Sequence, residues 1–328
     1  MKKENQQRGF SLFGMLIAIV IVGIIIWAID PYSWFKIKAK VDTEHRLNEL
    51  HQAISTAYQH DAFLIDSVED AVFQTAGGTL LPVLPQTGSG RCSPADAALT
   101  PIARYATTSS SLLIKDGYKA PLCIFISPRL QRTFHGTSIA YHAIAIVAPA
   151  ANGRVDTSNT CGTSGLDSTG NLTLCGDDRG ILVDGFQIQV AALQKTQQRI
   201  SHLVSAYQAY FSARFLADGG QDISIDYFAN AGTPPHLWDR VNAGGNVPSS
   251  STHAGCTGFT SIPNGFLGFG EHDLLDGYGR PLQFDNCSPA VRSPANPVVA
   301  MRTAPFTARV STTLPNGERF TQTATSTF

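Results

Sequence analysis

The chain has 328 residues, of which 43% are hydrophobic and only 15% charged, with a formal net charge of −1 at pH 7. That length leaves room for about two modest domains of ~100–150 residues beside one long helix. With charge near zero and no Lys/Arg cluster beyond Lys36, Lys38 and Lys40, no nucleic-acid surface is expected, since that needs a basic stripe to neutralise phosphates.

The first element is a short basic leader, MKKENQQRG, ending at Gly9. Phe10 follows and opens an apolar run that reaches Ile29 without a charge. About 20 such residues span a bilayer as a helix, because each backbone group is then satisfied internally. Lys2, Lys3 and Arg8, against Glu4 alone, keep the leader cytoplasmic and send the rest across. Trp27, Tyr32 and Trp34 stand at the far end, where aromatic rings favour the membrane–water interface. Two plainer readings compete. A secretory signal has a ~7–15-residue apolar core and a small-residue cut site, and Ile29-Asp30-Pro31-Tyr32 offers none. A plain signal anchor does not require the order Lys/Arg, Gly9, Phe10, apolar run.

That order resembles the N-terminus of type IV prepilins and type II secretion pseudopilins, and the resemblance covers residues 1–60. It implies cleavage after Gly9 by a prepilin peptidase and N-methylation of the new N-terminal Phe10. It also implies anchorage in the inner membrane, with the heads outside the cytoplasm. Packing of the helix against other pilin or pseudopilin subunits then follows, in a pilus or pseudopilus at the periplasm or cell surface. Gly23 and Pro31 stand where pilins commonly carry Gly and Pro, and Pro31 loosens a helix by removing a donor. Gly14 departs from the pattern. It is the fifth residue of the mature chain, where most filament-forming members carry Glu to pair with a neighbouring subunit's N-terminal amine. A buried charge needs its partner, so Gly14 implies a minor or tip subunit rather than a shaft subunit.

Beyond the apolar run, LNELHQAISTAYQH (47–60) places Leu47, Leu50, Ile54, Ala57 and Tyr58 at helical spacing. Residues 193–211 repeat the design with Leu193, Ile200, Leu203, Val204, Tyr207 and Phe211. Each segment contains Ala-Tyr-Gln, at 57–59 and 206–208, and Gly219-Gly220 stops the second. Each half then carries a D-G-Y-x-x-P-L turn, at 116–122 and 276–282, followed by a cysteine. The second of these turns resembles the Asp-x-x-Gly-x-Pro loop of pseudopilins. An apolar strand and an Asn-Gly turn come next, at Asn152-Gly153 and Asn316-Gly317, which predicts a hairpin in each half.

The expected fold is therefore α+β. One long helix runs from about Phe10 to Tyr58, transmembrane in its first half. Two tandem pilin-like heads follow, each a helix packed on a small antiparallel sheet. The boundaries are a leader at 1–9, the transmembrane or filament-core helix at 10–29, its stem at 30–60, a first head at 61–182 and a second at 183–328.

The six cysteines, an even number outside the cytoplasm, read as disulfides. Six allow fifteen pairings. Cys92 and Cys123 are 31 residues apart, as are Cys256 and Cys287, which selects those two pairs and leaves Cys161 with Cys175. No C-x-x-C or zinc spacing occurs, so no metal is expected. Asp177-Asp178, and Glu271 with Asp273 and Asp276, fall short of the six to eight oxygens calcium takes and read as solvated loops. There is no G-x-S-x-G, P-loop, H-E-x-x-H or dinucleotide fingerprint. The nine histidines are scattered, with His51 and His202 on the two helices. No catalytic residue and no cofactor is expected, and the chain reads as a structural subunit with an adhesive, assembly-initiating or secretory role. The alternatives are a membrane-anchored binding protein that never enters a filament, and an enzyme whose convergent pocket spacing does not reveal.

Overall fold

A computed structural model describes residues 7–28, 31–86, 88–94, 96–221, 223, 227–228, 246–247, 260–262, 266–285, 291–292, 300–301 and 305–326. Helix α1 runs Gln7–Ala28 and α2 runs Pro31–Asp66. The single continuous helix expected from Phe10 to Tyr58 is thus described as two, and residues 29–30 lie outside the described set. Pro31 is the first described residue of α2. In α1, side chains are described for residues 13–23, and all are exposed. Among the described residues no helix is long and apolar enough to cross a membrane, so the spanning helix expected at 10–29 is not established there.

The principal strands that follow are β1 Cys123–Ile126, β2 Leu130–Phe134, β3 Thr137–Tyr141, β4 Ala143–Ala148 and β5 Arg179–Asp184. Helix α3, Gly185–Ala217, comes next, then β6 Thr260–Ser261, β7 Gln283–Asp285, β8 Thr307–Thr313 and β9 Arg319–Thr325. The chain divides into two compact units. The first is Met1–Ile54, Leu80–Ile126 and Ile144–Val183; the second is Ser55–Thr79, Ser127–Ala143 and Asp184–Phe328. Membership is interleaved along the chain.

In the first unit the sheet order is β5-β4-β1. β1 and β4 are antiparallel, with Cys123 opposite Val147 and Ile126 opposite Ile144. The run AIAIVA in β4 is buried at every position, as a continuous apolar strand should be when both of its faces are covered. Phe125, Ala145, Val147 and Val155 form one core cluster with Cys92 and Cys123. The α2 stripe Leu47, Leu50, Ala53 and Ile54 is buried as the helical spacing demands. The hairpin expected at Asn152-Gly153 does not form. A short 3-10 turn, Ala150–Asn152, ends there with Gly153 left-handed at φ 63, while β4 pairs with β1, earlier in the chain, and with β5, later in it.

In the second unit β2 and β3 form a hairpin through His135-Gly136, both left-handed at φ 47 and 82, which matches the twist of the flanking strands. Asp184 caps α3 by accepting from the Phe186 N–H at 2.9 Å; such a cap satisfies a donor the helix leaves unpaired. The four-stranded sheet runs β6-β7-β8-β9. β8 and β9 form the hairpin expected at Asn316-Gly317, with Thr313 opposite Arg319. Ile200, Leu203, Tyr207 and Phe211 of α3 pack with Leu282, Phe306, Ala308, Val310 and Ala324. The architecture is mixed helix and small antiparallel sheets.

Candidate functional site: the processing segment and the helix-docking loops

Gly9 and Phe10 lie within α1, and their side chains are outside the described residues. Gly14 is exposed on α1, and a Cβ built on it meets nothing within 4 Å. Eight large apolar side chains of this stretch, Phe13, Met15, Leu16, Ile17, Ile19, Val20, Ile21 and Val22, are 43–68% exposed. Burying each fully is worth ~1.5–3 kcal/mol, so this helix gains on the order of ten kcal/mol by leaving water.

Downstream, a D-G-Y loop docks on a helix in each unit through the same atoms. In the first unit the Thr43 hydroxyl donates to Ala39 O at 2.8 Å and accepts from the Gly117 N–H at 2.9 Å. Arg46 Nη1 donates to Lys115 O and Asp116 O, both at 2.7 Å. In the second unit the Thr196 hydroxyl donates to Ala192 O at 2.9 Å and accepts from Gly277 N–H at 2.8 Å. Arg199 Nη1 donates to Leu275 O and Asp276 O, both at 2.8 Å. Both glycines are required by close approach, since a Cβ on Gly117 or Gly277 would sit 1.9 Å from the helix carbonyl of Ala39 or Ala192. The loop carboxylates brace the turns from within. Asp116 Oδ1 accepts from Ala120 N–H at 2.8 Å. Asp276 Oδ1 accepts from Tyr278 and Arg280 N–H, each at 2.9 Å, and its Oδ2 accepts from Thr312 Oγ1 at 2.6 Å. Burial pushes the Asp116 carboxyl up to about 6.

Thr-x-x-Arg, at 43–46 and 196–199, is the sequence signal that marks this docking, and the apolar periodicity hides it. Superposing the helices on these residues pairs Tyr207 with Ile54. Aligning Ala-Tyr-Gln pairs Tyr207 with Tyr58 instead, which is out of step by about one turn. The two tyrosines accordingly do different things. Tyr207 packs near Phe228 and Phe284, whereas Tyr58 belongs to a polar cluster in the second unit.

In that cluster the Tyr58 hydroxyl donates to the Asp66 carboxylate at 2.7–2.8 Å and accepts from His142 N–H at 2.8 Å. His142 Nδ1 lies 2.7 Å from Asp66 Oδ1, and Nε2 lies 3.1 Å from Asp70 O. Both ring nitrogens therefore lie within hydrogen-bond distance of oxygen atoms. Gln189 Nε2 donates to Asp66 and, at 3.0 Å, to Ala62 O. Burial pushes the Asp66 carboxyl up, against the His142 and Tyr58 contacts that pull it down. An Asp–His pair is half of a hydrolytic triad, but here both side chains have zero exposure. The cluster ties three chain segments of the second unit together as a clamp.

The structure joins Cys92 to Cys123 and Cys161 to Cys175; Cys256 and Cys287 lie outside the described residues. Asp177 and Asp178 gather with Asp156, which stands twenty-one residues upstream of Asp177 and carries no motif of its own. Backbone donors reach two of the three carboxylates, with Asp156 N–H on Asp178 and Asp177 N–H on Asp156. Glu271 and Asp273 are exposed, while Asp276 is committed to its own loop.

Residues 5–29 match the family model of the prokaryotic N-terminal methylation motif. The chain carries the prepilin-cleavage signal of type IV pilins and pseudopilins. No curated protein and no solved structure is a significant match to the chain. The motif marks a pilin-like or pseudopilin substrate of prepilin peptidase and implies assembly with other pilins.

Proposed function

We propose that this chain is a minor, low-copy subunit of a type IV pilus-like or type II secretion filament, cut between Gly9 and Phe10 and methylated on Phe10. The exposed apolar face of residues 13–22 is the observation that carries this reading. Such a surface favours lipid before assembly and neighbouring helices after it. In this reading the leader stays in the cytoplasm, the helix over 10–29 spans the inner membrane, and the stem over 30–60 carries the first head. Gly14 withholds the carboxylate that a neighbour's N-terminal ammonium would need in an apolar core, which suits a position at the filament end. Two tandem heads complete the proposal. Its support is the twofold use of Thr, Arg, Gly and Asp in the docking loops, and a third disulfide, Cys256–Cys287, belongs to the second head. The filament end leaves these heads free for adhesion, initiation of assembly or contact with a secreted substrate.

Quantitative proteomics of sheared filaments tests this. The expected result is a small fraction of the major subunit, with Gly14→Glu raising incorporation. Abundance equal to the major subunit would refute the minor role.

A further inference from the structure

Beside the first docking loop lies a cavity of about 370 Å³, lined by residues that include Arg91, Ser93, Tyr118, Lys119, Ala150 and Gly153. All belong to the first unit. Its described lining holds two cations and no carboxylate. No acidic side chain pairs with Arg91 or Lys119 among the described residues.

The backbone around this cavity is unusual. Lys119 and Ala150 adopt φ 67 and 54, a left-handed conformation that is costly for any residue with a Cβ. The second docking loop makes the same turn with Gly279 at φ 75. In both loops the residue's N–H donates to the loop aspartate's carbonyl at 3.1 Å. A glycine therefore serves this turn, and Lys119 stands in the first loop at a conformational cost. Strained positions of this kind gather where a side chain is needed in place. The backbone around Arg91 is held by its neighbours. Cys92 is disulfide-bonded to Cys123, Gln86 N–H donates to Arg91 O at 3.0 Å, and Val155 N–H donates to Gly90 O at 2.8 Å. Two exposed cations on one cavity, without a described acidic partner, offer a site for an anion.

We propose that this cavity binds the acidic group of a carboxylated or sulfated sugar, with Arg91 and Lys119 on the oxyanion. The volume sits at the low end for ligand pockets and suits a unit of monosaccharide size. Ser93 supplies a hydroxyl for hydrogen bonding, and Tyr118 offers a half-buried ring. The site stands whether or not the chain enters a filament.

Isothermal titration of the full chain in detergent, at low salt, uses glucuronate, glucose and inorganic sulfate as probes. Glucuronate is expected to bind and glucose to bind at least about tenfold more weakly. Arg91→Gln and Lys119→Gly should each weaken glucuronate by about ten- to a hundredfold, the loss of a charge-assisted contact. Lys119→Gly relieves the left-handed residue, so its melting temperature should be no lower than that of the parent, which separates lost binding from lost folding. Absence of glucuronate binding, equal affinity for glucose, or undiminished affinity in Lys119→Gly would overturn the proposal. Sulfate binding as tightly as glucuronate would overturn the sugar assignment.

Discussion

Replacing Gly277 by Ala puts a methyl carbon 1.9 Å from Ala192 O, 2.7 Å from its carbonyl carbon and 2.9 Å from Thr196 Oγ1. The first two atoms belong to the backbone of α3 and cannot swing aside, so the loop must retreat by about 1 Å to reach tolerable contact. That retreat stretches three hydrogen bonds: Gly277 N–H to Thr196 at 2.8 Å, and Arg199 to Leu275 O and Asp276 O at 2.8 Å each. Overpacking costs ~1–3 kcal/mol. The neutral bond contributes ~0.5–1.5 and each charged one ~1.5–3 kcal/mol. With these bonds weakened rather than abolished, the expected loss is about 3–5 kcal/mol. At ~2–4 °C per kcal/mol for a domain of this size, melting should fall by roughly 6–20 °C in circular dichroism. Gly117→Ala should behave alike, because Ala39 O also lies at 1.9 Å. Gly279→Ala is the control, with open space at its Cβ but φ +75, and should cost only ~1 kcal/mol. If Gly277→Ala costs no more than this control, the loop does not dock on α3 through this close contact.

Asp66→Ala should cost at least ~1–3 kcal/mol, because it leaves the buried Tyr58, His142 and Gln189 groups without their shared partner; denaturant titration measures it, and an unchanged stability would argue against the clamp. Gly185→Ala should disturb the same cluster, since its Cβ would lie 2.1 Å from the Tyr58 hydroxyl, and near-parental stability would contradict that packing. Thr107 and Thr108 hold the Glu49 carboxyl down to about 2. Its contribution to stability is then fully present above the unfolded value near 4.5 and is lost as pH falls toward 2; Glu49→Gln should flatten this part of the stability–pH curve, and an unchanged curve would refute the assignment. Non-reducing peptide mapping should recover Cys256–Cys287 beside the two described bridges, whereas a bridge from Cys123 to Cys256 would contradict paired heads.

The helices were legible in the sequence because their buried stripes recur at 3.6-residue spacing, so Leu47, Leu50 and Ile54, or Ile200, Leu203 and Phe211, announce themselves. The processing signal was legible for a different reason, since Gly9, Phe10 and the apolar run are contiguous. Asn316-Gly317 gave its hairpin because alternating strands flank it. Asn152-Gly153 did not, because β4 is apolar throughout and pairs with strands distant in sequence. The Tyr58–Asp66–His142–Gln189 clamp was invisible, as its members come from three segments whose pairing only tertiary contacts fix. Ala-Tyr-Gln misled about which turns correspond; the less conspicuous Thr-x-x-Arg marks the contact, because those side chains reach the loop. The anion site escaped notice because a lysine in place of a glycine is informative only once its φ is known.

The central claim is that prepilin peptidase cuts this chain after Gly9. Mass spectrometry of its N-terminal peptide, from a host expressing the peptidase and from one lacking it, tests this most directly. A chain beginning with N-methylated Phe10 in the first host, the uncut leader in the second, and an uncut Gly9→Val variant in both are the expected results. An intact Met1 in the peptidase-bearing host, or a mature chain that begins beyond Ile29, would contradict the account.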